Sequence, residues 1–202
     1  MTRRTLLALL LALAALSLLA AGCGGDDDAG APATETQSVP FDRAFIDAMV
    51  PHHEEAIEMA RAAKEAGLSE PVLVEIADAI IATQQEEIDR MKAWREEWFG
   101  SAEIDPDGAR ALGMPMEEMG MNEAPVDFSG EQDVDGAFAA MMVAHHKGAI
   151  AMAELARQRT EREEIASLAA DIVAAQQEEI ETLQEFVPAG GHDMGDMDGM
   201  DG

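Results

Sequence analysis

Apolar residues recur at helical spacing in four stretches of the chain, and turn-forming residues break the rhythm between them. The first stretch, 41–66, carries Phe41, Phe45, Met49, Ile57 and Ala60 and meets a stop signal at Gly67. Ser69 then reads as an N-cap, with Pro71 in the first turn. The second stretch sets out Val72, Ile76, Ile80, Ile88, Met91 and Trp94 and runs to about Trp98. A third spans 134–158 and a fourth 161–187. Residues 99–133, rich in Gly, Pro, Met and Asp, read as a long connection. Residues 24–40 hold too little apolar surface for a core and read as a flexible acidic tether. Residues 188–202 read as a disordered Gly/Asp/Met tail.

The second pair of stretches repeats the first. Phe45, Met49, His52, His53, Ala56, Ile57, Met59 and Ala60 return in order and spacing as Phe138, Met142, His145, His146, Ala149, Ile150, Met152 and Ala153. Gln84, Gln85, Glu86, Glu87 and Ile88 return as Gln176, Gln177, Glu178, Glu179 and Ile180. Two amphipathic hairpins bury their stripes most simply as an all-α four-helix bundle, ferritin-like and made of duplicated halves, over residues 41–187. The connection is long enough to cross the bundle, as in ferritin-like folds, or to join antiparallel neighbours with slack. Scarce aromatics (4%) and the lack of tyrosine agree with helices rather than sheets.

The repeat carries chemistry. At about 100° per residue, Met49, His52, His53 and Met59 share one broad face, with small Ala56 leaving room between them. Met142, His145, His146 and Met152 do the same around Ala149. Imidazole and thioether make a soft donor set that favours copper, Cu(I) above all, with another soft or borderline transition metal as the alternative. The bland alternative is a hydrogen-bonded core histidine beside methionine packing. Recurrence argues against it, and four of the five histidines sit in these pairs. The fifth, His192, stands in the tail with Met194, Met197 and Met200; Met114, Met116, Met119 and Met121 cluster in the connection. Read as flexible, those methionines have no core to fill and become secondary metal candidates. Glu87 and Glu179 either accept the second N–H of a ligand imidazole or occupy solvated or interhelical hydrogen-bonding positions. Pro51 removes a helical hydrogen bond to Asp47 just before His52, which implies a kink or a restart.

The N-terminus reads as an export signal. Arg3 and Arg4 precede an apolar run from Leu6 to Leu19, too short for a comfortable span. It ends at Leu19, Ala20, Ala21, Gly22 and Cys23, which resembles a bacterial lipobox with Cys23 as the lipidated residue. The pair of arginines also resembles a twin-arginine signal. Cys23 is the chain's single cysteine, so no intrachain disulfide competes for it. This places the mature chain outside the cytoplasm, held to the membrane by lipid. A formal charge of -28 speaks against nucleic acid and for solubility, with a field that gathers cations.

The spacing of Phe45, Met49, His52, His53, Ala56, Met59 and Ala60, followed by Gln84, Glu87, Ile88, Met91 and Trp94, resembles the family catalogued as domain of unknown function 305. The second copy departs at its end, with Leu183 and Phe186 in place of Met91 and Trp94. The resemblance spans about residues 40–187. It implies a ferritin-like helical bundle, exported, with copper held by methionine and histidine, and it extends ligand candidacy to the eight Met and His positions of the repeat. The leading expectation is a non-enzymatic module that sequesters or hands over copper. One rival is a di-iron or di-manganese oxidase, but Glu-x-x-His is absent, and the His52-to-Glu55 spacing is lost in the second copy at Gly148. Another rival is a structural or sensory module with no metal. Nothing reads as a hydrolytic or group-transfer centre.

Overall fold

The computed structural model describes residues 39–121 and 126–189. Residues 1–38, with Cys23, and the tail, with His192, Met194, Met197 and Met200, lie outside the described residues. Five helices and no strand stand among the described residues: α1 (Phe41–Ala66), α2 (Pro71–Phe99), α3 (Gly108–Leu112), α4 (Val134–Arg159) and α5 (Glu163–Leu183).

Gly67 ends α1 as its position predicts. Its φ of 106° lies in the left-handed region, and Leu68 N donates back to the Ala63 carbonyl at 2.9 Å. Ser69 does not cap α2. That helix begins at Pro71, and the Ser69 hydroxyl donates instead to Asp135 at the start of α4. Pro51 neither ends nor restarts α1, which runs on as helix. The Asp47 carbonyl, which Pro51 cannot serve, lies against Gly108 of the connection.

α1 and α4 form the central seam, α2 packs on α1, and α5 packs on α4. One apolar cluster joins the first half of α1 to the last half of α4, through residues such as Phe45, Met49, Met152 and Ala156. The other joins the second half of α1 to the first half of α4, through Met59, Ala63, Phe138 and Met142. The two helices are therefore antiparallel. Phe45 and its repeat Phe138 are fully buried at opposite ends, each contributing about 1.5–3 kcal/mol of burial.

This arrangement decides the path of the connection. α2 ends near the start of α1, while α4 starts near the end of α1, so the connection, described over residues 100–121 and 126–133, leads from one end of the bundle to the other. It is the crossover, not slack between neighbours. The crossover packs against α1 through α3 and sends Leu112 and Met119 into the first cluster. A buried ion pair pins its start: Arg95 Nε and Nη2 donate to Asp47 at 2.5 and 3.2 Å, and Arg95 Nη1 donates to the Ser101 carbonyl at 2.7 Å.

Candidate metal centre

Midway along the α1/α4 seam, between the two apolar clusters, lies a polar layer of four buried imidazoles. The rings of His52 and His145 face each other across the seam, with centroids 3.8 Å apart and planes tilted by 35°. The His53 ring lies 6.3 Å from that of His52. The two His pairs therefore meet in one cluster. His52 and His145 are equivalent in the repeat, so the seam carries a pseudo-twofold relation between the hairpins.

The outer histidine of each pair is tied to its own hairpin. His53 Nε2 donates to Glu87 Oε2 at 2.9 Å, and His146 Nε2 donates to Glu179 Oε2 at 2.7 Å. Helical periodicity turns Glu87 inward while leaving Glu86 exposed; Glu178 is likewise exposed beside Glu179. The inner histidines have other neighbours. His52 Nε2 donates to the Met119 carbonyl at 2.8 Å. His145 Nε2 faces Glu55 Oε2 at 3.8 Å, beyond hydrogen-bond length.

A carbonyl only accepts, so the His52 proton sits on Nε2 and its Nδ1 carries a bare lone pair. Glu87 and Glu179 place the protons of His53 and His146 the same way. Nδ1 of all four histidines is buried without a hydrogen-bond partner among the described residues. So are Oε1 of Gln84 and Gln176, and Nε2 of His145. All these atoms belong to positions that the duplication repeats. Burial holds His52 well below the usual histidine pKa, with its neighbours His145 and His53 adding to the effect. Burial also lowers His145, against an opposing pull from Glu55. Both rings are neutral at pH 7, the form in which nitrogen binds metal.

Met49, Met59, Met142 and Met152 are fully buried. Met49 and Met152 share one cluster and Met59 and Met142 the other, so a methionine from each central helix stands on either side of the imidazole layer. The methionines of the crossover are not flexible as expected. Met119 is fully buried in the cluster of Met49 and Met152, Met114 and Met121 pack against that cluster, and only Met116 is largely exposed. The crossover lies on the seam, so its methionines have a core to fill. Among the described residues no three His, Cys, Asp or Glu side chains converge as a metal site. Neutral nitrogen with sulfur fits a soft ion such as Cu(I).

The buried amides Gln84 and Gln176 and the Met119 carbonyl were not singled out as site groups by the sequence. For the glutamines the signal was their place one turn before Glu87 and Glu179. For a backbone carbonyl in a connection there was none.

The chain matches the family described as Domain of unknown function (DUF305), over residues 27–94 and 42–187. No protein of curated function matches it. Among solved structures it is similar to CopM in the Cu(II)-bound form, at 31% identity and a TM-score of 0.58, covering 72% of this chain and 94% of that one. CopM in the Cu(I)-bound form gives 32% and 0.57 over the same shares. A DUF305 protein from Streptomyces coelicolor gives 25% and 0.63, covering 72% of this chain and 90% of that one.

Proposed function

The chain belongs to the DUF305 family, and from that premise we propose that it binds copper, as Cu(I), in the His/Met layer between α1 and α4. The observation that carries this reading is the set of four buried Nδ1 atoms with no hydrogen-bond partner. A buried polar atom left unpaired costs about 1–3 kcal/mol. Chance does not place that cost at the same atom of both histidines in both halves of a duplication. A metal that takes the lone pairs removes it. Glu87 and Glu179 then act as positioning groups, since a carboxylate on Nε2 fixes the tautomer and makes Nδ1 a better donor.

Met49, Met59, Met142 and Met152 supply thioethers on the same helices, and Met119 adds one from the crossover. Similarity to CopM, solved with copper bound, supports the choice of metal. The wider reading follows the N-terminal pattern. The chain is exported, lipidated at Cys23 and held at the outer face of the membrane or in the periplasm, where it sequesters copper or passes it on. No described helix is long and apolar enough to cross a membrane. His192, Met194, Met197 and Met200 would capture ions for the bundle. The role is binding, not catalysis.

The test is a Cu(I) titration against a coloured chelator, with the full chain, a chain ending at residue 187, and a variant with His52, His53, His145 and His146 all changed to Ala. Binding by the first two and loss in the third is expected. Failure of the full chain to compete with a moderate Cu(I) chelator sinks the proposal.

A further inference from the structure

Packing accounts for three of the four crossover methionines and leaves one over. Met119 is fully buried, and Met114 and Met121 pack against its cluster. Met116 is 45% exposed and fills no core. Among the described residues, Val39 is the only other large apolar side chain so exposed.

Met116 and Met119 belong to one tight turn. Met119 N donates to the Met116 carbonyl at 3.1 Å, and Gly120 N donates to the Glu117 carbonyl at 3.1 Å. Side chains three apart in such a turn eclipse, so these two methionines lie on one side of it. Glu117 and Glu118, between them, are exposed. The inner end of the turn touches the imidazole layer: the Met119 carbonyl accepts from His52 Nε2 at 2.8 Å, and the Met119 side chain shares a cluster with Met49 and Met152. Two glycines let the turn lie this close to α4. A Cβ on Gly148 would overlap the Met119 carbonyl, and one on Gly120, whose φ is +64°, would sit 2.7 Å from the Ala144 carbonyl. Thioethers therefore stand at the surface, on the inner side of the turn and beside the imidazole layer.

We propose that this turn is an entry site, at which a soft univalent ion such as Cu(I) meets Met116 first and passes through Met119 to the buried layer. The inference rests on the copper reading above. Glu117 and Glu118 raise the local concentration of cations, and Met116 supplies the first sulfur. Each hand-over forms one metal–sulfur bond as another breaks, so the ion keeps its charge and no electron or proton moves. Glu55 and Glu179 also reach from the layer toward solvent, with side chains 15% and 22% exposed. They offer carboxylate oxygen, which suits a hard ion better than a soft one. The duplication holds no second turn of this kind, because one crossover serves both hairpins.

The experiment follows transfer of Cu(I) from a coloured chelate to the full chain, recording both rate and final distribution. The kinetic phase missing from the variant with His52, His53, His145 and His146 all changed to Ala reports arrival at the layer. Met116→Leu keeps the size and apolar character of the side chain and removes its sulfur. It should slow that phase about fivefold and move the dissociation constant less than about twofold, because release slows by the same route. Met141→Leu, at a half-buried methionine packed against the other cluster, is the control and should match the parent. In the parent, Ag(I) added below one equivalent should shift the methyl resonances of Met116 and Met119 and leave that of Met141 in place. An unchanged phase in Met116→Leu overturns the entry site, and a slowed phase in Glu179→Gln alone would move entry to the carboxylates. A loss of affinity equal to the loss of rate also overturns it, by making Met116 a ligand of the final site. A parent chain without the phase removes the copper reading itself.

Discussion

The two hairpins are copies, yet they agree and disagree in different places. They agree where they face the imidazole layer: His53 with Glu87 matches His146 with Glu179, and the buried amide of Gln84 matches that of Gln176. They disagree where they meet the crossover. Asp47 and Arg95 of the first copy correspond to Ala140 and Val187 of the second, Pro51 to Ala144, and Glu55 to Gly148. Asp47, Ala144 and Gly148 all lie against crossover backbone. A single crossover cannot be duplicated, so it can touch only one side of a symmetric pair. The residues beneath it have adapted, and those facing the imidazole layer have kept the repeat.

The largest effect should come from the charge pair that only the first hairpin has. Asp47 is 1% exposed and Arg95 is 4% exposed. Asp47→Ala leaves Arg95 buried with no counter-charge, and should cost about 3–5 kcal/mol in denaturant unfolding. It also frees the start of the crossover, since Asp105 N donates to the same carboxylate at 3.2 Å. Removing both charges, as Asp47→Leu with Arg95→Met, should cost far less, because an apolar pair of similar volume can replace a buried ion pair. A loss below about 1 kcal/mol for Asp47→Ala would mean that water reaches Arg95 and that the asymmetry is not energetic.

Next comes the disagreement at Gly148 and Glu55. Gly148→Ala puts a methyl group into the Met119 carbonyl, and backbone has little room to retreat. The expected cost is about 1–3 kcal/mol. The His52 Nε2 bond should weaken with it, visible as a shift of that ring's nitrogen resonances. The change at the equivalent position of the first hairpin, Glu55→Ala, removes atoms where Gly148→Ala forces them into backbone, and should cost less. Equal costs at the two positions would mean that the Met119 carbonyl retreats freely from Gly148.

Much of this was legible in the sequence, for reasons that differ by element. Helical spacing is local, so Phe45 to Ala60 and their repeats announced buried faces before any tertiary contact was known. The Glu87 partnership with His53 was half legible. Periodicity put both on inward faces, but the register of an antiparallel hairpin decides which of them meet. Arg95 was not legible, because an arginine on a helix normally lies in solvent, and only Asp47 makes its burial tolerable. The crossover was read as a free segment since it has no period, and Met119 was misjudged with it. Gly148 was the one available clue: a glycine inside a helix, where the first copy has Glu55, marks a close approach of another backbone.

The smallest effect tests what the copies still share away from the imidazole layer. Each hairpin holds the turn of the other with an aspartate from the start of its own first helix. Asp135 accepts from Ser69 N and Oγ, both at 2.8 Å, and from Glu70 N at 3.3 Å. Asp42 accepts from Thr160 Oγ1 at 2.7 Å and lies 3.4 Å from Arg162 Nε. The pair is reciprocal: Asp42 and Asp135 stand three residues before Phe45 and Phe138. Asp135→Ala uncaps the N-terminus of α2 and should cost about 1 kcal/mol; Asp42→Ala, with one hydrogen bond and a half-exposed ion pair to lose, should cost about half that. The sites lie at opposite ends of the seam, so the double variant should be additive within about 0.5 kcal/mol. Partial burial raises the Asp135 pKa, but the bonds from Ser69 and Glu70 outweigh it and hold the carboxyl below its usual value. A lowered folded pKa gives stability that is present above the unfolded value and lost as pH falls through the folded one. The parent and Asp135→Ala should therefore converge in stability in acid, while the parent and Asp47→Leu with Arg95→Met supply the comparison without that carboxylate's change. Failure to converge would mean that the clasp works through shape and not through the charge that accepts those three hydrogen bonds.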